Sequence, residues 1–178
     1  MIRMKSLLWE MTDTDIQRCL EKIRNKQYSF IAAGDNGKVY SINDEDRVFK
    51  ITGDQDEYEI AEIILNRATE FTTFIPVYYV DGNNMYIMAN ADTLPEGIRM
   101  DVNGFVKDFA AYSQQNGGEV SIFDFLQETD VVDSQLDNFL TALEADIQKL
   151  GIPEFDLDFD FRADNLMIYN SKIVMVDW

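Results

Sequence analysis

The chain has 178 residues, with 15 Lys+Arg against 33 Asp+Glu, which sets the net charge at −18 at pH 7. That length suits one medium domain or two small lobes around a real core. A hydrophobic content of 46% and an aromatic content of 12% exclude disordered and low-complexity classes. There is no histidine and only one cysteine, Cys19, so internal disulfides, the common zinc sites, Ser-His-Asp and Cys-His triads and histidine-held haem all drop out. The charge repels nucleic-acid phosphates and anionic membrane surfaces, so no direct nucleic-acid or membrane partner is expected. No apolar run approaches the ~20 residues that span a bilayer. The first residues carry only the short apolar run Leu7–Trp9 and no small-residue cleavage site, so a cytoplasmic location is expected rather than secretion.

Taken in chain order, Thr12 to Lys26 is a predicted helix, with Ile16, Cys19, Leu20 and Ile23 at helical spacing and Thr14/Gln17 as its capping box. Cys19 on that stripe is read as a structural thiol. Three short alternating runs follow, Tyr28–Ala32, Lys38–Ile42 and Val48–Thr52, separated by turn-forming stretches, and they predict an antiparallel meander. Asp56–Thr69 is a second helix, with Ile60, Ile63, Ile64 and Ala68 on its buried face. Strands Pro76–Val80 and Met85–Ala89 come next, joined by a turn at 81–84. Ala91–Gly97 reads as a linker, so the expected division is residues 1–90 and 91–178. Helices are then predicted at Asn103–Gln115, Ser121–Glu128 and Asp133–Leu150. In the last of these Leu136, Phe139, Leu140, Leu143, Ile147 and Leu150 make a single stripe. A polar loop, Asp156–Asn165, leads into strands Leu166–Tyr169 and Ile173–Val176, hinged at Asn170-Ser171. Strands with one helix, then helices with a terminal hairpin, predict a two-lobe α+β protein.

Four features carry candidate chemistry. Gly34 and Gly37 lie in a turn between two strands; glycines let backbone N–H groups approach a polyphosphate, and Val39 just beyond would pack on a purine. Lys50, in Val48-Phe49-Lys50-Ile51, points either to water or to a buried anion. Glu62 lies twelve residues on, with Glu59 about a turn earlier, and offers it a carboxylate. Asp160 precedes Asn165 by five residues, which puts a proton acceptor and a magnesium ligand on one loop. Asp177, at the end of an apolar strand, suits a hard cation. Each has a plainer reading when taken alone. Two glycines in a hairpin make a turn, Lys50 is an exposed lysine of an alternating strand, and Asp160, Asn165 and Asp177 are loop residues.

Together and in this order they resemble the protein-kinase-like superfamily, over roughly Phe30 to Trp178. The resemblance implies a fold with an antiparallel N-lobe sheet carrying one helix and a reduced helical C-lobe. It implies that Lys50, held by Glu62, binds the α/β-phosphates of ATP, and that Met88 to Asn90 is the hinge whose backbone meets adenine. It further implies that Asp160 orients the acceptor hydroxyl, that Asn165 and Asp177 hold Mg²⁺, and that Arg162 stands where a lysine usually touches the γ-phosphate. Several positions depart from the pattern. Ala32 replaces the first loop glycine, Asp158-Phe159 stand before Asp160 in place of histidine-arginine, and Asp177 is followed by Trp178. The Asp177-Trp178 ending looks more like aminoglycoside and choline kinases. On this resemblance the activation segment and the substrate helices of both branches are expected to be missing, and in size and composition the chain is similar to compact kinases of bacteriophages.

Three functions follow as expectations. The first is a minimal protein serine/threonine kinase using ATP and Mg²⁺ on a protein substrate. The second is an inactive kinase-like acidic protein, a pseudokinase, that occupies a basic site on a partner and imitates nucleic acid there. The third is a small-molecule kinase acting on a cationic substrate.

Overall fold

The computed structural model describes residues 12–34, 37–118, 120–129, 133–151 and 161–177. The chain divides into two compact units. The first takes the residues up to Phe71 together with Ile75–Asn90; the second takes Thr72–Phe74 and the residues from Ala91 onward. The predicted α+β class holds, with an antiparallel sheet in the N-terminal part and several helices after it.

The first unit opens with α1, Asp13–Arg24. Its capping box uses Thr12 and Asp15, two residues earlier than the predicted Thr14/Gln17: the Thr12 hydroxyl accepts from the Asp15 amide, and the Asp15 carboxylate accepts from the Thr12 amide. Strands β1 (Tyr28–Ala33), β2 (Gly37–Ile42) and β3 (Arg47–Thr52) form the predicted meander. Beyond it lie helix α2 (Gln55–Asn66) and strands β4 (Val77–Val80) and β5 (Met85–Ala89). The five strands are all antiparallel in the order β1-β2-β3-β5-β4, so β5 rather than β4 lies beside β3.

Side chains alternate between the two faces of this sheet. One face carries Tyr28, Tyr40, Ile42, Phe49 and Ile87, and α1 covers it with Cys19, Leu20 and Ile23. Tyr40 stacks on Phe49 with centroids 4.9 Å apart, and Tyr28 meets both rings edge-on. Cys19 is fully buried there, and burial raises its thiol pKa. Glu45, in the β2–β3 turn, ties α1 down by taking Arg18 at 2.7 Å and Lys22 at 2.8 Å. The Arg18 hydrogen bonds are the main reason its carboxyl is lowered to about 2, against the upward push of its burial, with Lys22 adding to the effect. The other face meets α2, whose Glu57, Ile60, Ala61 and Ile64 recur at helical spacing.

In the second unit, β6 (Asp92–Thr93) pairs with β7 (Leu166–Tyr169), and β7 with β8 (Lys172–Met175). Helices α3 (Glu96–Gln115), α4 (Ile122–Glu128) and α5 (Ser134–Leu150) supply the rest of its core. All six residues of the predicted α5 stripe are buried. Asp133 caps the helix through the amides of Gln135 and Leu136, and Gly151 ends it at φ 74°. Phe125 of α4 packs among Phe105, Phe109 and Tyr112 of α3. The linker predicted at Ala91–Gly97 is instead β6 followed by the first turn of α3, which starts seven residues earlier than predicted. Pro95 causes this by standing at the N-cap, where its missing N–H leaves no intrahelical bond unmade. Among the described residues, no helix is long and apolar enough to cross a membrane.

Candidate functional site

The chemistry of the first unit gathers on one sheet face. Val39 lies directly opposite Lys50 across β2–β3, Lys50 opposite Tyr86 across β3–β5, and Gly37 opposite Thr52. Residues paired in this way project to the same side. Lys50 is 5% exposed, and its ammonium sits 2.6 Å from a carboxylate oxygen of Glu57, itself 3% exposed. The other Glu57 oxygen accepts from the Thr52 hydroxyl at 2.6 Å, and the Tyr86 hydroxyl donates to the same oxygen that meets Lys50. A buried carboxylate with three donors around it is held in one orientation, and it in turn fixes the ammonium.

The carboxylate that meets Lys50 is therefore Glu57, not the expected Glu62. Glu62 is exposed, and so is Glu59, which accepts from Gln55 at 3.0 Å. The cause is helical phase. Position 57 shares a face with the buried Ile60, Ala61 and Ile64, while position 62 lies roughly 140° further round. Glu57, Thr52 and Tyr86 were not picked out from the sequence. The available signal was an acidic residue three and four positions before Ile60 and Ala61, in phase with the apolar stripe.

Gly37 begins β2 against the stem of Lys50. A Cβ built on Gly37 would come 2.9 Å from Lys50 Cε and 3.0 Å from the Ile51 carbonyl oxygen, whereas one on Gly34 would meet nothing within 4 Å. Gly34 donates its N–H to the Gly37 carbonyl at 3.0 Å, closing the turn. The residues between them, Asp35 and Asn36, lie outside the described residues. Gly37→Ala is expected to destabilise by about 1–3 kcal/mol because the ion pair pins the crowded lysine stem. Gly34→Ala is expected to stay within about 0.5 kcal/mol. Chemical denaturation of the two variants checks both values. Val39 is half-buried and stands across from Lys50. Met88 and Ala89 are buried in β5, and the Ala89 N–H is engaged by the Pro76 carbonyl at 2.9 Å. Of the predicted Met88–Asn90 hinge, only Asn90 is exposed, and it is the last residue of the first unit.

In the second unit, a single 3-10 turn, Ala163–Asn165, delivers the chain into β7. Asn165 is 6% exposed, and its carbonyl accepts from Val176 N–H at 2.9 Å, one residue before the half-buried Asp177. The β7–β8 hairpin therefore brings the backbone of Asn165 to within one residue of Asp177, twelve positions on in the sequence. Arg162 is exposed and caps the 3-10 turn, and Asp164 beside it pairs with Arg99 of α3. Asp160 lies outside the described residues.

Among the described residues, no group of three or more His, Cys, Asp or Glu side chains is placed to hold a metal. By residue type, Asn165 and Asp177 fit Mg²⁺, which keeps several waters and is held by one or two protein oxygens together with substrate phosphates. The Lys50 ammonium fits a polyphosphate in the same sense, as positive charge fixed in place, whereas the space beside Gly37 is taken up by the lysine stem.

No family model matches the chain, and no curated protein does. Among solved structures it is similar to a chain of the streptomycin-ATP-APH(2")-IIa ternary complex, at 15% identity and a TM-score of 0.37. The likeness covers 94% of this chain and 71% of that one.

Proposed function

We propose that the chain is an ATP- and Mg²⁺-dependent phosphotransferase acting on serine or threonine hydroxyls of a protein. What supports this reading is Lys50: a lysine drawn below the surface, oriented by a buried carboxylate and flanked by a glycine that leaves room for nothing but its stem. A lysine needed only for solubility would stand in water.

Bound ATP and Mg²⁺ would supply a transferable γ-phosphoryl group. Lys50, oriented by Glu57, would neutralise phosphate oxygens, and Val39, on the same face, would supply an apolar surface for the base. Asn165 and Asp177 would hold the metal, Asp160 would accept the proton of the attacking hydroxyl, and Arg162 would balance charge on the transferred group. Catalysis of this kind is mostly positioning and charge neutralisation.

A second reading rests on the net charge of −18. In it the chain is an acidic binding protein that fills a basic site on a partner, and Lys50–Glu57 is only a core ion pair. One experiment separates the two. The chain is incubated with Mg²⁺ and γ-labelled ATP in the presence of casein as a protein acceptor and kanamycin as a cationic small molecule, beside an Asp177→Asn variant whose fold is checked by circular dichroism. The proposal expects label in precipitated casein and a drop of about 100-fold or more in the variant. Label on kanamycin would move the acceptor class to small molecules. No transfer, with no Mg²⁺-ATP-dependent rise in melting temperature, would remove the enzyme reading and leave the acidic binding protein.

A further inference from the structure

The second unit contains a pocket of about 270 Å³ that plays no part in the function proposed above. Three stretches far apart in sequence wall it: Thr72–Thr73, one face of α5, and the start of β8 with the turn before it. On α5 the lining positions are 135, 138, 139 and 142, a single helical stripe. Its inner surface is apolar, formed by the buried Phe139 and Ile173 with Ala142. Its mouth is polar, formed by the exposed side chains of Gln135, Asn138, Ser171 and Lys172 and the Thr72 hydroxyl. No carboxylate is among the lining residues, although acids outnumber bases 33 to 15 in the chain.

Two further features show that the walls are held in place. One helical turn beyond Ala142, the buried Asp146 accepts from the amides of Thr72 and Thr73 at 2.6 and 2.9 Å, while its other oxygen takes Lys149 at 2.6 Å. The Thr72–Thr73 wall is thereby fixed, and the negative charge behind it is matched by a lysine. At the opposite wall, Asn170 and Ser171 both have left-handed backbone, φ 49° and 64°. Two-residue hairpins of this type favour Asn-Gly. A serine in the glycine position carries backbone strain, and here its side chain lines the pocket.

We infer that this pocket binds a small organic acid, its carboxylate or phosphate held by the Lys172 ammonium, the Ser171 hydroxyl and the side-chain N–H groups of Gln135, and its flat apolar body lying on Phe139 and Ile173. The pocket exceeds the ~150 Å³ cavity that accommodates benzene, so a monocyclic aryl acid fits. Lys172 donates and cannot accept, so it gives the charge-assisted hydrogen bond that decides sign, while the hydroxyls and side-chain amides of the mouth can turn either a donor or an acceptor to the ligand.

The test is NMR titration of the intact chain with three single-ring probes that differ in the charged group: benzoate, phenyl phosphate and benzylamine. The two acids are expected to shift the amides of Ser171–Ile173 and of residues 135–142 in α5 with a Kd of about 1 mM or tighter, and benzylamine is expected to leave them in place. Lys172→Ala, at an exposed position, should weaken benzoate by about tenfold without changing the melting temperature. Ser171→Gly should raise the melting temperature by roughly 2 °C through relief of strain, and should weaken binding at the same time. A purely structural serine would give the first effect without the second. Benzylamine binding as well as benzoate, affinity unmoved in both variants, or no shift from either acid at about 10 mM would each overturn the assignment.

Discussion

Replacing Glu57 by alanine is expected to lower stability by about 3–5 kcal/mol, whereas Glu62→Ala changes it by less than about 0.5 kcal/mol. The asymmetry follows from burial. Lys50 and Glu57 are 5% and 3% exposed and lie 2.6 Å apart, so removing the carboxylate leaves an ammonium deep in the sheet face without its nearest counter-charge. The hydroxyls of Thr52 and Tyr86 lose their acceptor in the same step. Glu57→Gln keeps an oxygen acceptor but removes the charge, and is expected to fall between the two. Urea unfolding followed by circular dichroism ranks the three variants. Equal losses at positions 57 and 62 would show that the pairing had been assigned to the wrong turn of α2.

Asp146→Ala is expected to cost about 3 kcal/mol. The carboxylate is 1% exposed and gathers the Thr72 and Thr73 amides, the Thr73 hydroxyl at 2.9 Å and Lys149. Burial by itself pushes this carboxyl up, but Lys149 and the threonine donors outweigh it, and the net pKa lies below the ordinary 3.8. The sign of the pH effect is then determined. A carboxyl with a depressed folded pKa stabilises fully above its unfolded value and loses that contribution as pH falls through the folded one. The stability difference between the native chain and Asp146→Asn should therefore be flat from about pH 8 to about pH 5 and shrink below about pH 4. A difference that grew on acidification would mean that the carboxyl is protonated in the folded chain.

These two residues also mark the limit of what the sequence discloses. The α5 stripe could be read directly because six large apolar residues repeat at the helical period, and all six are buried. Asp146 sits among them, three positions after Leu143 and next to Ile147. Hydropathy assigns an aspartate to water, and that assignment is overridden by Lys149 together with Thr72 and Thr73, which lie more than seventy residues away in the chain. Glu57 is hidden for the same reason. Once an acid is taken as exposed, the buried face of α2 shifts round to Ile63 and Ala68, and Glu62 becomes the nearest carboxylate for Lys50. The start of α3 was obscured differently. Pro95 and Gly97 are turn residues by composition, yet proline is well placed at a helix N-terminus, and the buried Val102 and Phe105 hold the helix to its neighbours. Asn165 and Asp177 could be proposed by spacing, since a hairpin hinged at Asn170-Ser171 must bring its two ends together.

The three residues Thr72–Phe74 belong to the second unit although they lie between two elements of the first. A fragment ending at Asn90 would keep them and lose α5, leaving two amides and two hydroxyls without the acceptor they have in the whole chain. A fragment starting at Ala91 would keep that acceptor with nothing to receive. No single cut in this polypeptide therefore yields two self-sufficient halves, and dissecting it calls for point substitutions in place of truncation.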